Sequence, residues 1–227
     1  MANFNLFPKD LDLTGDCAVV IPAYNEEATV ASIVKLALEA NLGLVLVVDD
    51  GSTDKTKENS LAAGAAVLKI IENVGKGGAV WLAAKTLQTK AIVLIDADLT
   101  GLKSQHIIDL AKPVLNDEVD MTRGNFSGGR WQTTAAQNIS PQLNGQRGIL
   151  REKLLALPDF SKSRYGIEIA ITKGAKKNNW RTANIDLKDV SQIMKEEKRG
   201  FLAGFIIRLG MYRDILKTWF KTANKNQ

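Results

Sequence analysis

The stretch Ala91-Ile92-Val93-Leu94-Ile95-Asp96-Ala97-Asp98 decides the fold. Five apolar residues in a row, mostly branched, bounded by polar turn residues, read as a strand buried on both faces, and the aspartates mark its carboxyl end. The same unit recurs upstream. Ala66 to Ile71 is a mostly apolar run that ends at Asn73-Val74-Gly75-Lys76-Gly77-Gly78, with a helix predicted to about Thr89. Gly43 to Val48 ends at Asp49-Asp50-Gly51-Ser52-Thr53-Asp54, where Thr53 or Asp54 can cap a following helix. Cys17 to Ile21 is stopped by Pro22 and precedes a helix predicted over 26–40, whose Val30, Ile33, Val34, Ala37 and Leu38 fall at helical spacing. Strand and helix alternate four times. That pattern specifies an α/β fold, a doubly wound and mostly parallel sheet with helices on both faces, which binds ligands beyond the carboxyl ends of its strands. Every polar motif above falls at such an end.

The 227 residues suit one elaborated domain, and 45% hydrophobic with 24% charged residues is a globular composition. A single cysteine, Cys17, excludes an internal disulfide, and a single histidine, His106, excludes a site built on two. Met1 to Asp16 has no apolar run of signal-peptide length, so a cytoplasmic location is expected. The formal charge of +5 comes entirely from the residues after 194, where eight Lys/Arg stand against three acidic residues. Nothing before that point resembles a basic groove lined with aromatics, which argues against nucleic acid as partner.

Asp96 and Asp98, one residue apart where a strand becomes a loop, can both reach a hard divalent cation. Mg²⁺ or Mn²⁺ bound by one or two carboxylates keeps positions open for phosphate oxygens and neutralises charge on a leaving diphosphate. The competing reading is a capped turn with a solvated Asp98. Asp50 can accept hydrogen bonds from a base or ribose, with Gly51 allowing close backbone approach. Lys76, among glycines at a helix start, favours a phosphate. Neither a Walker A loop nor Gly-x-Gly-x-x-Gly after the first strand is present, which disfavours ATPases and dehydrogenases.

Taken together, Val20-Ile-Pro-Ala-Tyr-Asn-Glu-Glu27, Val47-Val-Asp-Asp-Gly-Ser-Thr-Asp54, Asn73-Val-Gly-Lys-Gly77 and Asp96-Ala-Asp98 resemble the successive signatures of GT-A fold glycosyltransferases of the family 2 type. The resemblance implies a single GT-A domain and a metal-dependent transfer of sugar from a UDP- or GDP-linked donor. It places Pro22, Ala23, Asn25 and Glu27 around base and ribose, Asp50 on the base, Lys76 and the Asp96-Ala97-Asp98 turn at the donor, and Asp98 on the metal. The segment 17–101 would form the nucleotide-sugar half and 102–195 the acceptor half.

In that second half, Gly124-Asn-Phe with Gly129-Arg130, Leu143-Asn-Gly-Gln-Arg147 and Tyr165-Gly-Ile-Glu168 are similar to the glucosyl-3-phosphoglycerate synthase branch and to polyprenyl-phosphate sugar transferases. This implies an acceptor site formed by Gly124, Arg130, Asn144, Arg147 and Tyr165. Pro141 to Gly148 is read as a loop, Ser104 to Leu115 as a helix and Trp180 to Ile185 as a strand. Arg130 and Arg147 could clamp a phosphate or carboxylate bidentately, or lie on the surface. Glu168, at the start of a helix, could act as a base or bind hydroxyls, or simply be an acid favoured by the helix dipole. Where such enzymes often carry a late histidine ligand, this chain has Gln192, whose amide oxygen could serve as a third metal ligand beside Asp96 and Asp98. His106, a lone helical histidine, reads as structural or solvated and is given no catalytic role, and Cys17 reads as a buried hydrophobe.

Two other classes remain open, a nucleotidyltransferase and a noncatalytic nucleotide-sugar-binding homologue. The tail 196–227 reads as a basic amphipathic helix: Phe201, Phe205, Leu209, Tyr212, Leu216 and Trp219 line one face. That face could dock on the domain, pair with a second subunit in a homodimer, or lie on an anionic membrane surface where a lipid acceptor is met.

Overall fold

The computed structural model describes residues 4–5, 12–127, 144–161 and 166–192. Arg130, Tyr165 and the C-terminal helix predicted over 201–221 lie outside the described residues.

The elements run β1 (Phe4–Asn5), β2 (Thr14–Ala23), α1 (Val30–Glu39), β3 (Leu44–Asp50), α2 (Thr56–Ala62), β4 (Ala66–Ile70), α3 (Lys76–Thr86), β5 (Gln88–Leu94), β6 (Leu99–Thr100) and α4 (Ser104–Leu115), followed by β7 (Met121–Ser127), β8 (Arg147–Leu150), α5 (Arg151–Leu155), α6 (Ile167–Lys177), β9 (Thr182–Lys188) and β10 (Ser191–Gln192). Eight strands form one sheet in the order β1-β4-β3-β2-β5-β8-β7-β9, and β6 pairs with β10 in a separate ribbon. β2, β3, β4 and β5 are mutually parallel, as the repeated strand-helix units require. The chain order of these strands reverses at β2 and β5, and the polar loops gather at their carboxyl ends.

Two cores cover the two faces of the sheet. Val19 and Ile21 of β2 point into one with Val30, Ile33 and Leu110, while Ala18 and Val20 point into the other with Val80, Leu154 and Ile171. Strand alternation distributes successive residues to opposite cores, and the apolar runs are continuous because neither face meets water. Each fully buried Val, Leu or Ile contributes about 1.5–3 kcal/mol.

Three local expectations change. The helix expected from Glu26 begins at Val30, because residues 26–29 form a turn whose Glu26 backbone N–H donates to Thr56 Oγ1 at 2.8 Å. The expected strand 180–185 lies at Thr182–Lys188, parallel to β7. The segment read as a loop up to Gly148 contains the start of β8, which runs antiparallel between β5 and β7, with Arg147 opposite Leu94. A four-residue strand carrying an arginine and a glycine has no sequence period long enough to announce itself.

His106 fills the structural role expected of it. Its Nδ1 accepts from the Lys103 backbone N–H at 3.2 Å at the start of α4, and burial and the Lys103 charge hold the ring below the usual histidine range. Cys17 is buried, and its thiol is pushed up to about 12, chiefly by that burial, so it is an inert core residue. Among the described residues no helix is long and apolar enough to cross a membrane.

Candidate active site

The loops after β2 and β3 are joined side chain to main chain. Asn25, at positive φ, accepts the Thr53 N–H on Oδ1 at 2.9 Å and donates its own N–H to Ser52 Oγ at 2.9 Å. Glu27 accepts the Lys55 N–H at 3.0 Å. These residues shape the rim beside Pro22 and Ala23 at the end of β2. Asp49, which the sequence reading left without a role, is fully buried, pairs with Lys69 at 2.9 Å and accepts the Ser52 N–H at 2.8 Å.

Asp50 turns inward. Its two oxygens accept the Val74 and Gly75 N–H groups, each at 2.8 Å, and Asn73 Nδ2 donates to its carbonyl at 3.0 Å. The β3 end therefore anchors the turn that launches α3. Gly51 permits this approach: at φ 78°, a Cβ there would stand 3.1 Å from the Asn73 nitrogen. Gly75, at φ 85°, then sets Lys76 as the first residue of α3, where helix N–H groups and its own ammonium add positive potential.

The Lys76 ammonium lies between two carboxylates, 2.6 Å from Asp96 Oδ1 and 2.6 Å from Glu168 Oε1. Burial opposes its charge, but Asp96 and Glu168 together outweigh that and hold it protonated above the usual lysine range. Asp96 lies two residues past the end of β5, Lys76 starts α3 and Glu168 lies in the first turn of α6, so three elements meet at this point. Arg147 sits behind them, fully buried. Its Nε donates to the Asn144 carbonyl at 3.2 Å and its NH1 to Thr172 Oγ1 at 3.0 Å, while Thr172 in turn donates to the Glu168 carbonyl at 2.7 Å. Burial pushes the guanidinium down to about 10, against the pull of Glu168, and it stays charged at neutral pH. Of the two readings open for Arg147, surface residue and anion clamp, the first is excluded, and the donors just named are directed at protein groups.

Gly145 closes the arrangement from β8's side. A Cβ there would fall 2.4 Å from Lys76 Nζ and 2.8 Å from Asp96 Oδ2, so only glycine fits over the ion pair. Gly145→Ala is expected to leave the fold intact, since the displaced atom ends a flexible side chain, yet to lower any activity that depends on this ion pair on the order of 10- to 100-fold by moving Lys76 and Asp96. Steady-state kinetics beside a melting curve reads this directly.

Asp96 and Asp98 flank Ala97 immediately after β5, with Asp98 only 9% exposed. Among the described residues no three acidic, histidine or cysteine side chains cluster as a metal cage. A pair of carboxylates at a strand end fits a hard cation such as Mg²⁺ or Mn²⁺ that completes its shell with water and phosphate oxygens. Gln192 pairs through its backbone with Leu99, the residue after Asp98, so the β6–β10 ribbon brings that position to the same turn. Gly124, in the middle of β7, donates its N–H to the Gln146 carbonyl at 2.8 Å, and Asn144 is buried.

Residues 18–176 match the family model described as glycosyl transferase family 2. The glucosyl-3-phosphoglycerate synthase of Mycolicibacterium smegmatis is 30% identical over 189 residues, covering 68% of this chain and 62% of that protein. The synthase of Mycobacterium tuberculosis is 30% identical over 192 residues, covering 68% of this chain and 59% of its own length. The chain thus spans about three fifths of these curated relatives. A crystal structure of the M. tuberculosis synthase in complex with Mn²⁺, uridine diphosphate and phosphoglyceric acid superposes with a TM-score of 0.73 at 24% identity, covering 91% of this chain and 78% of that one, which shows a shared fold.

Proposed function

This chain belongs to glycosyl transferase family 2, and from that premise we propose that it transfers a sugar from a nucleotide diphosphate donor to a small phosphorylated acceptor. The observation that carries the reading is the meeting of Lys76, Asp96 and Glu168 within 2.6 Å contacts at the carboxyl end of β5. The crystal complex of the M. tuberculosis relative contains uridine diphosphate and phosphoglyceric acid, which favours a UDP-linked donor over a GDP-linked one and a phosphorylated small molecule over a lipid acceptor.

In this reading Pro22, Ala23, Asn25, Glu27 and Gly51 rim the base and ribose, and Asp50 holds the turn that aims Lys76. Asp96 and Asp98, with Gln192 as a third oxygen donor, would hold Mg²⁺ or Mn²⁺. That cation, when bound, supplies Lewis-acid stabilisation of the leaving diphosphate. Lys76 carries a fixed positive charge to the same phosphates. Glu168 accepts a hydrogen bond from the attacking acceptor hydroxyl and orients it, fixed in turn by Thr172 and Arg147. The acceptor enters past Gly124 and Asn144; Arg130 and Tyr165, which lie outside the described residues, join it by the sequence resemblance alone.

The test is nucleotide release from UDP- and GDP-sugars with Mg²⁺, Mn²⁺ or EDTA, using 3-phosphoglycerate and a polyprenyl phosphate as acceptors. Release that requires both metal and 3-phosphoglycerate is the expected result. Pyrophosphate release from a nucleoside triphosphate, or nucleotide binding without turnover on any acceptor, would overturn it in favour of a nucleotidyltransferase or a noncatalytic binder.

A further inference from the structure

Arg147 is fully buried, a depth at which arginine is almost never found without a charge partner. Its strand puts it there. Arg147 stands opposite Leu94 of β5, and Ile149 opposite Met121 of β7, so alternation along β8 sets Gly145, Arg147 and Ile149 on the sheet face that α6 covers. On that face a cavity of about 10 Å³, enough for one water molecule, is lined by Lys76, Arg147 and Glu168 together with the apolar Leu94, Ile167 and Ile171.

Glu168 therefore has two cations beside it. Lys76 touches it at 2.6 Å, and Arg147 attracts it across the cavity, a pull that works against the burial of the guanidinium. Arg147 also grips the helix itself: its NH1 donates to Thr172 Oγ1 at 3.0 Å, and Thr172 donates to the Glu168 carbonyl at 2.7 Å, one turn back. The two cations differ in what the reaction asks of them. Lys76 pairs with Asp96 as well, at 2.6 Å, and in the function proposed above it serves the donor phosphates. An ammonium drawn to a diphosphate leaves both carboxylates. Asp96 belongs to the proposed cation site and is compensated there, whereas the donor brings nothing to Glu168. Within a largely apolar cavity, a carboxylate that loses its counter-charge is strongly destabilised and shifts to find another partner.

We propose that Arg147 is a positioning residue, the counter-charge that stays with Glu168 and holds its carboxylate toward the acceptor hydroxyl once Lys76 engages the donor. This rests on the function proposed above and deepens it. The sequence allowed Arg147 to clamp an anion of the acceptor; in this arrangement it touches neither substrate and acts through Glu168.

Steady-state transfer from UDP-glucose to 3-phosphoglycerate with Mn²⁺, beside calorimetric titration of UDP, tests this in the full chain. Arg147→Met is expected to lower kcat by about tenfold or more, with both KM values and the UDP affinity unchanged within about twofold, and Arg147→Lys, which keeps the charge, to stay within about fivefold of the parent kcat. A raised KM for 3-phosphoglycerate at unchanged kcat overturns the proposal, because it marks an anion clamp. So does a folded Arg147→Met protein with the parent's kcat, or an Arg147→Lys protein as impaired as Arg147→Met. Melting reads the same link without turnover. Arg147→Met is expected to lower the melting point of the parent by about 5 °C but to leave it unchanged or raise it in a Glu168→Gln background, where the buried guanidinium has already lost that counter-charge. Equal lowering in both backgrounds, or failure to fold in both, also overturns the proposal, since a purely structural arginine behaves that way. Absence of UDP release by the parent from any UDP-sugar is instead the failure of the proposed function, and the melting cycle still decides the link between Arg147 and Glu168.

Discussion

Replacing Asp98 by alanine is expected to lower sugar transfer by about a thousandfold while leaving the protein folded, because in the proposed site it removes a metal ligand from a turn rather than volume from a core. The packing neighbours at this turn are Ala97 and Leu99, 3% and 4% exposed, and they remain in place. The expected signature is therefore a dead enzyme with a near-normal circular dichroism spectrum and melting point. Nucleotide affinity should lose most of its dependence on Mn²⁺, and EDTA should no longer affect the variant. A folded Asp98→Ala protein that still turns over normally would remove the metal from this chemistry.

Lys76→Ala carries the second large effect. Asp96 and Glu168 each touch the same ammonium at 2.6 Å, so without it two carboxylates face one another at no more than twice that distance. At an effective dielectric near 20 their repulsion is roughly 3 kcal/mol, reduced by the partial exposure of all three side chains. We expect a fall in kcat/KM for the donor of about 100-fold and a melting point that rises more with added Mn²⁺ than that of the parent, since a cation near Asp96 then relieves the repulsion. Lys76→Arg should not restore activity, because the space over the ammonium is bounded by Gly145 and has no room for a planar guanidinium. An unchanged donor KM and kcat in Lys76→Ala would take this residue out of the site.

The frame of the site was legible before any coordinate. Ala91 to Asp98 reads as a buried strand with two carboxylates at its exit, and the structure has β5 ending at Leu94 with Asp96 and Asp98 just beyond. The helix expected over 104–115 is α4 residue for residue. Such features are local, since burial on both faces of a strand, or on one face of a helix, imprints a period of apolar residues on a few consecutive positions. Asp50 shows where that logic stops. Its place at a strand end was plain, but that its carboxylate accepts the Val74 and Gly75 N–H groups was decided by the neighbouring loop.

By itself, then, the sequence determined the repeated strand and helix units, their parallel arrangement and the gathering of Asp50, Lys76 and Asp96 at one end of the sheet. Only the tertiary structure decided that Lys76 meets Glu168, 92 residues away, that β8 enters antiparallel beside β5, and that Gly145 and Arg147 thereby come to lie against the ion pair. The physical reason is one of range. Backbone period and turn chemistry are set by neighbours in the chain, whereas a short charged strand takes its position from the strands on either side of it and the counter-charges beside them.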